Sequence, residues 1–366
     1  MKQSFKRKVA AVLMAALVGI TAVPAMAAED VSTSTAGQSS SLEAAEAGYK
    51  AVLQRYRIVR DADYFDGDWE MLDRLGVNNL IGLSKPENVY FTLCDLANDG
   101  VPEIFVASMD SPSFTINDYG WREGGYRIHD IWGCANGTVS RPFPIDSMGY
   151  RANYSFMNNG VMFCQGSSGA MSNYWEYYTL GTNSAKAYLS NFIEYDGWEG
   201  EKYYRGYGNL NNKWRVSKAE KDRVVKSYSF VKNIKWYSID DAASLHQAIR
   251  SFSIPVMING SELACDQPAV SRNGRTLVPL RAIFEALGTK VEWNGATQTI
   301  TAVKGSTTVQ MRLNSKTMSK NGQSIALDVP PQAIAGRTMV PVRAIADAFD
   351  YNVYWDSANR VVEINN

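Results

Sequence analysis

Gly274-Arg-Thr-Leu-Val-Pro-Leu-Arg-Ala-Ile283 recurs 62 residues later as Gly336-Arg-Thr-Met-Val-Pro-Val-Arg-Ala-Ile345. Other residues recur with the same offset, namely Trp293 as Trp355 and Asn259-Gly260 as Asn321-Gly322. Agreement of this extent indicates an internal repeat, with one copy at about residues 256 to 305 and the other at about residues 318 to 366. The C-terminal third is therefore expected to contain one structural unit twice.

Each copy predicts a strand, a short helix and a hairpin. The β-rich run ends at Pro279 or Pro341, and the fixed φ of proline suits the first turn of a helix. The short helices are expected over Arg281 to Leu287 and Arg343 to Phe349. The turns of the hairpins that follow are expected at Asn294-Gly295 and at Asp356 to Asn359.

Each copy is too small to be stable by itself, because it buries too little apolar surface. We therefore predict that the two copies form a pseudo-symmetric pair around one shared core. Trp293 and Trp355 hold matching positions, and each is expected to pack at least partly against the helices. In each copy an acid follows an arginine by four residues, which predicts helical ion pairs: Arg281 with Glu285, and Arg343 with Asp347.

Residues 254 to 366 resemble the copper amine oxidase N-terminal domain family, also called the stalk domain, on the doubled GRT-x-VP-[LV]-R signature with its downstream tryptophan. The family is common in exported proteins of Gram-positive bacteria. The resemblance implies an α+β module in which antiparallel strands wrap a helix. It does not imply amine oxidation, because the domain is an appendage to the catalytic part of true oxidases.

The chain lacks the residues of an amine oxidase centre. Such a centre takes three histidines, and the whole chain has two, His129 and His246, both outside the resembling segment. The quinone precursor of those oxidases is a tyrosine in an Asn-Tyr-acid-Tyr setting, whereas residues 173 to 177 (NYWEY) carry one residue more. We expect no copper, no required cofactor and no enzyme activity.

The N-terminus resembles a cleavable secretory signal. Lys2, Lys6, Arg7 and Lys8 precede an apolar stretch, and Ala25-Met-Ala27 has the small-x-small pattern that a signal peptidase needs. We expect residues 1–27 to be the signal peptide and residues 28–41, which are rich in Ser and Thr, to be a flexible spacer. The mature protein is expected to be secreted, extracellular or associated with the cell wall, with no transmembrane segment after cleavage.

Composition narrows the partners. The formal net charge is +0, and removing four basic residues with the signal leaves 0 − 4 = −4. Nucleic acid is therefore not an expected partner, since its binding needs a concentrated basic face. The four cysteines have no metal-ligand spacing. Two alternatives are open for the cysteines: one disulfide within the group Cys94, Cys134 and Cys164, or buried free thiols. Cys265 is not part of that group.

Residues 42–253 predict the first of two domains. Apolar residues from Leu42 to about Arg60 recur at helical spacing. Strands are expected over Val89 to Cys94 and Glu103 to Ala107, followed by an antiparallel meander from Tyr126 to Tyr207 and a Ser-capped helix at residues 217 to 228. The fold class is α+β with two domains, the first an antiparallel meander with flanking helices and the second, residues 254–366, the two-copy module.

The loop between the first two strands resembles the Asp-rich calcium motif of secreted bacterial proteins. Asp95, Asp99 and Glu103 match it, and the Val101 carbonyl would add a ligand, since Ca²⁺ takes six or more oxygens. Ala97 stands where the motif has another oxygen ligand. A plain Asn-Asp-Gly turn is the alternative.

Three functions follow as hypotheses. The first is a non-catalytic cell-envelope or extracellular protein that acts in binding, display or spacing, with a cell-wall glycan or an envelope protein as its partner. The second is a carbohydrate- or peptidoglycan-binding protein that uses exposed Tyr and Trp of residues 174 to 214. The third is a glycoside hydrolase that uses Asp196, Glu199 or Glu201. A row of exposed aromatics would favour the second, and paired carboxylates in a cleft the third.

Overall fold

The computed structural model contains five helices among the residues that it describes, and each belongs either to the N-terminal part (residues 41–253) or to the repeat segment (residues 254–366). The helices are α1 Ser41–Asp61, α2 Lys218–Lys226, α3 Ala242–Arg250, α4 Leu280–Ala286 and α5 Val342–Ala348. The residues described are 41–61, 75–77, 89–116, 122–142, 153–157, 160–169, 171–181, 186–198, 200–231 and 234–366. The expected signal peptide and all of the spacer except Ser41 lie outside them.

Strands make up most of both parts. In the N-terminal part they are β1 Val89–Cys94, β2 Glu103–Ile116, β3 Arg122–Ala135, β4 Thr138–Ser140, β5 Asn153–Met157, β6 Val161–Gly169, β7 Ser172–Leu180, β8 Ala187–Asp196, β9 Lys202–Gly206, β10 Lys213–Val216 and β11 Tyr237–Ser238. In the repeat segment they are β12 Val256–Ile258, β13 Ser261–Glu262, β14 Val270–Arg272, β15 Arg275–Pro279, β16 Lys290–Asn294, β17 Thr299–Lys304, β18 Thr307–Arg312, β19 Thr317–Lys320, β20 Gln323–Ala326, β21 Gln332–Ile334, β22 Arg337–Pro341, β23 Asn352–Asp356 and β24 Val361–Asn365.

The N-terminal part stacks helices and sheets in four layers. One sheet has the order β11-β1-β2-β3-β4 and the other the order β10-β9-β8-β7-β6-β5. Helices α1 and α3 cover the outer face of the first sheet, a further core fills the space between the sheets, and α2 covers the outer face of the second. The predicted meander is thus antiparallel, but it is divided between two stacked sheets.

The helices of the N-terminal part form where the sequence predicts them. Helix α1 buries the predicted stripe of seven apolar residues, because positions three or four apart share one face. The side chain of Ser217 caps α2 by accepting a hydrogen bond from the Glu220 amide at 3.1 Å, and Asp241 caps α3 in the same way through Ser244 at 2.9 Å. Each cap satisfies a backbone N–H that the helix itself leaves without a partner.

The repeat segment is built around a pseudo-two-fold axis. Its central sheet has the order β14-β15-β22-β21, and in the antiparallel pair β15–β22 Val278 lies opposite its own equivalent, Val340. Leu277 lies opposite Pro341, and Pro279 lies opposite Met339. This register is self-reciprocal, so the axis passes between the two valines.

Each copy contributes its hairpins to two outer sheets. One sheet joins the first hairpin of copy one to the last hairpin of copy two, in the order β13-β12-β24-β23. The other has the order β16-β17-β18-β19-β20, in which β18 lies between the equivalent hairpins and breaks the symmetry. Both copies contribute to one core, in which Phe284 and Phe349 contact edge to face. The predicted shared core is confirmed.

Two reciprocal ion pairs join the copies at their edges. Arg275 of copy one donates to the Asp328 carboxylate at 2.7 Å, and Arg337 of copy two donates to Asp266 at 2.6 Å. The residues of one pair are equivalent to those of the other. The arginine of the GRT signature therefore contacts the opposite copy, which the repeated Asp-x-Pro of residues 266 to 268 and 328 to 330 could have indicated.

Two expectations for the repeat segment are corrected. Both helices begin one residue early, because Pro279 and Pro341 are N-caps and not first-turn residues. Within residues 254–366 the predicted helical ion pairs do not form: the side chains of Arg281, Glu285, Arg343 and Asp347 are exposed, and neither pair lies within ion-pair distance. At the surface such a pair gains too little to overcome side-chain entropy.

The two tryptophans are less buried than a core aromatic. Trp293 lies opposite the buried Ile300 and Trp355 opposite the buried Val362, so both lie on the core side of their hairpins. They nevertheless remain 48% and 39% exposed, because they stand at the ends of short strands. Both side chains are therefore exposed, and their packing against the helices stays a prediction.

The N-terminal part and the repeat segment are in direct contact. Ser41 donates through its amide and its hydroxyl to the Asp266 carbonyl, at 2.9 and 2.7 Å. Gln267 donates to the Asp99 carbonyl at 2.5 Å, and Gly100 approaches Pro268 and Val270 so closely that a Cβ would lie 2.8 Å from Val270. All four cysteines are free thiols, and no described helix is long and apolar enough to cross a membrane.

Candidate functional site

The acidic loop, residues 95 to 103, joins β1 to β2 and lies beneath the repeat segment. The two carboxylate oxygens of Asp95 accept hydrogen bonds from the amides of Asp99 and Gly100, at 2.9 and 3.0 Å. Asp99 accepts from the Val101 amide at 2.9 Å, and Glu103 from the Leu96 amide at 2.8 Å. These carboxylates hold the loop in shape.

Burial changes the chemistry of these acids. Asp99, Val101 and Glu103 are almost completely inaccessible, and Asp95 is half-buried. Burial raises the pKa of the Asp99 carboxyl to about 7, although the hydrogen bond from the Val101 amide opposes the change. Burial also raises the pKa of Asp95, against hydrogen bonds from the Gly100 and Asp99 amides.

The predicted calcium ligands do not converge on one point. In the part of the chain that the structure describes, no group of three or more His, Cys, Asp or Glu side chains is placed to hold a metal ion. The carboxylates of Asp95, Asp99 and Glu103 accept hydrogen bonds from amides of the loop. The Asp99 carbonyl accepts a hydrogen bond from Gln267. A calcium ion would require the loop to rearrange, so calcium binding stays a prediction.

Aromatic residues of the region 174 to 214 divide into two groups. Trp175, Tyr177 and Tyr203 are buried on the outer face of the second sheet beneath or beside α2. The other group is exposed at the edges of that sheet and in its turns: Tyr188, Trp198, Tyr207 and Trp214. Sequence alone could not separate the groups, because both alternate with polar residues.

The three acids of the hydrolase hypothesis belong to the β8–β9 turn. Asp196 accepts a hydrogen bond from the Trp198 amide at 3.0 Å, and the exposed Glu201 lies 3.3 Å from the Tyr203 hydroxyl. Glu199 lies outside the described residues. The two described acids shape a turn, and this arrangement offers nothing specific to glycosidic chemistry.

A cleft of about 470 Å³ lies where α1 and α3 meet the repeat segment, and sequence reasoning missed it. Its walls combine apolar side chains with the charged residues Glu43, Glu46, Arg250, Glu262 and Asp266. Glu46 contacts Lys50 and His246, and Asp266 contacts Arg337, so two of these carboxylates are already paired. The cleft arises from residues far apart in sequence, and no local motif marks it.

A buried charge in the first sheet is fully engaged. Asp130 accepts hydrogen bonds from Arg141 at 2.7 Å, from the Trp132 indole at 3.0 Å, and from the Tyr56 hydroxyl. The Arg141 guanidinium lies 3.9 Å from the centre of the Trp132 ring. Because every partner is inside the protein, this cluster stabilises the packing of α1 on the sheet.

The repeated GRT-x-VP-[LV]-R signature forms strands β15 and β22, which pair in a reciprocal register, and the short helix that follows each proline. A family model described as the copper amine oxidase N-terminal domain matches residues 257–364. The repeat segment is therefore similar to the copper amine oxidase N-terminal domain. This domain is the non-catalytic stalk of the oxidases, which agrees with a non-enzymatic role for the segment. No curated protein and no solved structure matches the chain.

Proposed function

We propose that the chain is an exported, non-catalytic protein of the cell envelope or the extracellular space. Its N-terminal part and its copper amine oxidase N-terminal domain are two domains, one that binds and one that supports. The mature protein starts at Ala28 and is secreted or associated with the wall of a Gram-positive cell. No cofactor is required for this role.

The repeat segment holds the N-terminal part through direct contacts, and this arrangement supports the proposal. The two copies share one core, and reciprocal ion pairs join them at the edges. The segment from Asp266 to Val270 then contacts the start of α1 and the acidic loop. A support of this kind presents the second sheet, which lies on the far side of the first, to the surroundings.

Carbohydrate binding is the second candidate. Tyr188, Trp198, Tyr207 and Trp214 are exposed on one sheet, and exposed aromatic rings suit the apolar faces of sugars. The glycoside hydrolase hypothesis gains no comparable support from the described acids.

Fractionation tests the proposed function. We expect chains that begin at Ala28 in the culture medium or bound to isolated cell envelopes, and we expect purified residues 28–366 to sediment with those envelopes. N-terminal sequencing and sedimentation measure the two outcomes. Chains that keep Met1 in the cytoplasm, or mature protein that never sediments with envelopes and is absent from the medium, would contradict the proposal.

A further inference from the structure

The β9–β10 hairpin carries a pair of exposed aromatic rings. Tyr207 is 57% exposed and Trp214 is 44% exposed, and their rings contact edge to face at 5.7 Å between centroids. Strand β10 is the edge of the six-stranded sheet, and none of the described strands lies beyond Trp214. Adjacent exposed rings of this kind offer an apolar surface that a ligand can cover.

Strand register places Trp214 on the same face of the sheet as helix α2. Trp214 lies opposite Arg205, and Arg205 lies opposite Ile193, which is buried beneath α2. Helix α2 covers Ile193 and begins directly after β10, and Trp214 remains exposed. Its Glu220 accepts a hydrogen bond from Arg205 at 2.8 Å, so this ion pair forms the boundary between the covered and the exposed face.

Polar groups surround the rings. Arg205 also contacts the Asn191 side chain at 3.3 Å. The turn between the strands reads Tyr207-Gly-Asn-Leu-Asn-Asn-Lys-Trp214, and its Asn209 side chain accepts hydrogen bonds from the amides of residues 211 and 212. A face of aromatic rings bordered by amides and a guanidinium offers both apolar contact and hydrogen bonding.

We propose that this hairpin face, made of Tyr207, Trp214, Arg205, Asn191 and Asn209, binds a pyranose chain. The C–H face of one sugar ring stacks on the Trp214 indole, the Tyr207 ring, at 72° to the indole, contacts the edge of the same sugar, and the sugar hydroxyls bond to the amides and the guanidinium. A protein partner fits less well, because Arg205, Asn191 and Asn209 interrupt the apolar surface beside the rings. The inference rests on the proposed function, in that it names the ligand of the binding domain.

The probes are chitohexaose and cellohexaose, titrated against residues 28–366 with intrinsic fluorescence and calorimetry as readouts. We expect saturable binding of at least one probe. Trp214→Ala and Tyr207→Ala should each weaken it at least tenfold, whereas Tyr207→Phe keeps the ring and should retain it. Tyr354→Ala, which removes an exposed tyrosine from strand β23 of the repeat segment, is the matched control and should leave binding unchanged.

Either of two results would overturn the inference: a wild-type protein without saturable binding of either probe, or a Trp214→Ala variant that binds as the wild type does with an unchanged circular dichroism spectrum. Sedimentation with isolated envelopes separates this failure from failure of the proposed function. Wild-type protein that sediments with envelopes but ignores both probes would retain the envelope role and remove the hairpin face as its site.

Discussion

At the scale of single residues, burial decides what a side chain can do. Asp99 and Glu103 match a calcium motif, yet they are buried and hold the loop through backbone amides. His129 is one of two histidines, and its Nε2 lies 2.7 Å from the Ser108 hydroxyl inside the first sheet. Trp293 carries the family signature but stays half-exposed. In each case the residue type is informative only together with its surroundings.

His129 should make the protein sensitive to acid. Burial lowers the pKa of His129 to about 3, and the nearby Arg127 acts in the same direction. Since the unfolded chain takes up a proton at its ordinary pKa of about 6.5, stability should fall as the pH drops from 6.5 towards 3. Between pH 7 and pH 4, the free energy of unfolding should fall by about 3 kcal/mol less in His129→Gln than in the wild type, as measured by urea unfolding. An unchanged pH dependence would contradict this.

Calcium should bind weakly, because the loop must release hydrogen bonds before its carboxylates can converge. Calorimetry should give a small heat with the wild type, and Asp99→Ala should abolish it. If both proteins respond equally, the loop is only a turn.

Trp293→Ala should cost less than a buried aromatic would. Emptying a fully buried aromatic site costs about 3 to 5 kcal/mol. Because about half of Trp293 is already exposed, we expect a loss of about 1 to 2 kcal/mol in chemical denaturation. Trp355→Ala is the matched variant and should cost slightly more, since Trp355 is less exposed. A loss as large as that of a core phenylalanine would show that the ring packs more deeply.

At the scale of elements, the repeated signature forms an interface. The prolines end β15 and β22 and begin the helices, and the strands pair with each other across the axis. The reciprocal ion pairs between Arg275 and Asp328 and between Arg337 and Asp266 are exposed, so each contributes at most about 1 kcal/mol. Apolar packing between the copies therefore outweighs their charges. On the N-terminal part, the element that forms an interface is the acidic loop, which contacts the repeat segment.

Gly100 should report on the contact between the acidic loop and the repeat segment. It has φ +86°, and an added Cβ would lie 2.8 Å from Val270 and 3.1 Å from Pro268. Gly260 has a similar φ of +79° with nothing within 4 Å, so Gly260→Ala measures backbone strain alone. We expect Gly100→Ala to destabilise by about 1 to 3 kcal/mol more than Gly260→Ala in thermal unfolding. Equal losses of unfolding free energy in the two variants would show that the acidic loop moves to accommodate the added Cβ without cost.

At the scale of the whole molecule, the cores separate but the surfaces meet. Three hydrophobic clusters draw only on residues before 254, and two draw only on residues from 254 onwards. The first copy contacts the N-terminal part through Asp266 to Val270. The second copy reaches the β3–β4 turn at Gly336, and its Arg360 donates to the Ser251 carbonyl at 2.6 Å. The two copies are equivalent in fold but not in surroundings.

The two copies should lose their structure together. Phe284 is completely buried in the shared core and contacts Phe349 of the other copy. Phe284→Ala should destabilise the repeat segment by about 3 to 5 kcal/mol, because it empties a site that both copies line. Hydrogen exchange should then accelerate in residues 256 to 305 and 318 to 366 alike. Loss of protection in the first copy alone would mean that the copies are separate cooperative units.

The sequence by itself determined the local features and the repeat. The apolar stripe of α1, the Ser217 cap, the hairpin turns and the boundaries of the two copies all follow from periodicity and turn chemistry, which act between residues a few positions apart. The shared core followed from size, since one copy buries too little surface. The region that contains Tyr207 and Trp214 was also predicted as aromatic.

Only the tertiary structure decided which of these residues are accessible and which elements meet. It divided the meander between two sheets, placed β18 between equivalent hairpins, and brought Asp266 of one copy to Arg337 of the other. It also buried Trp175 in one cluster with Val224 of α2 while leaving Trp214 exposed. These outcomes depend on how surfaces that are far apart in sequence pack together. A local sequence pattern does not determine which residues another element covers.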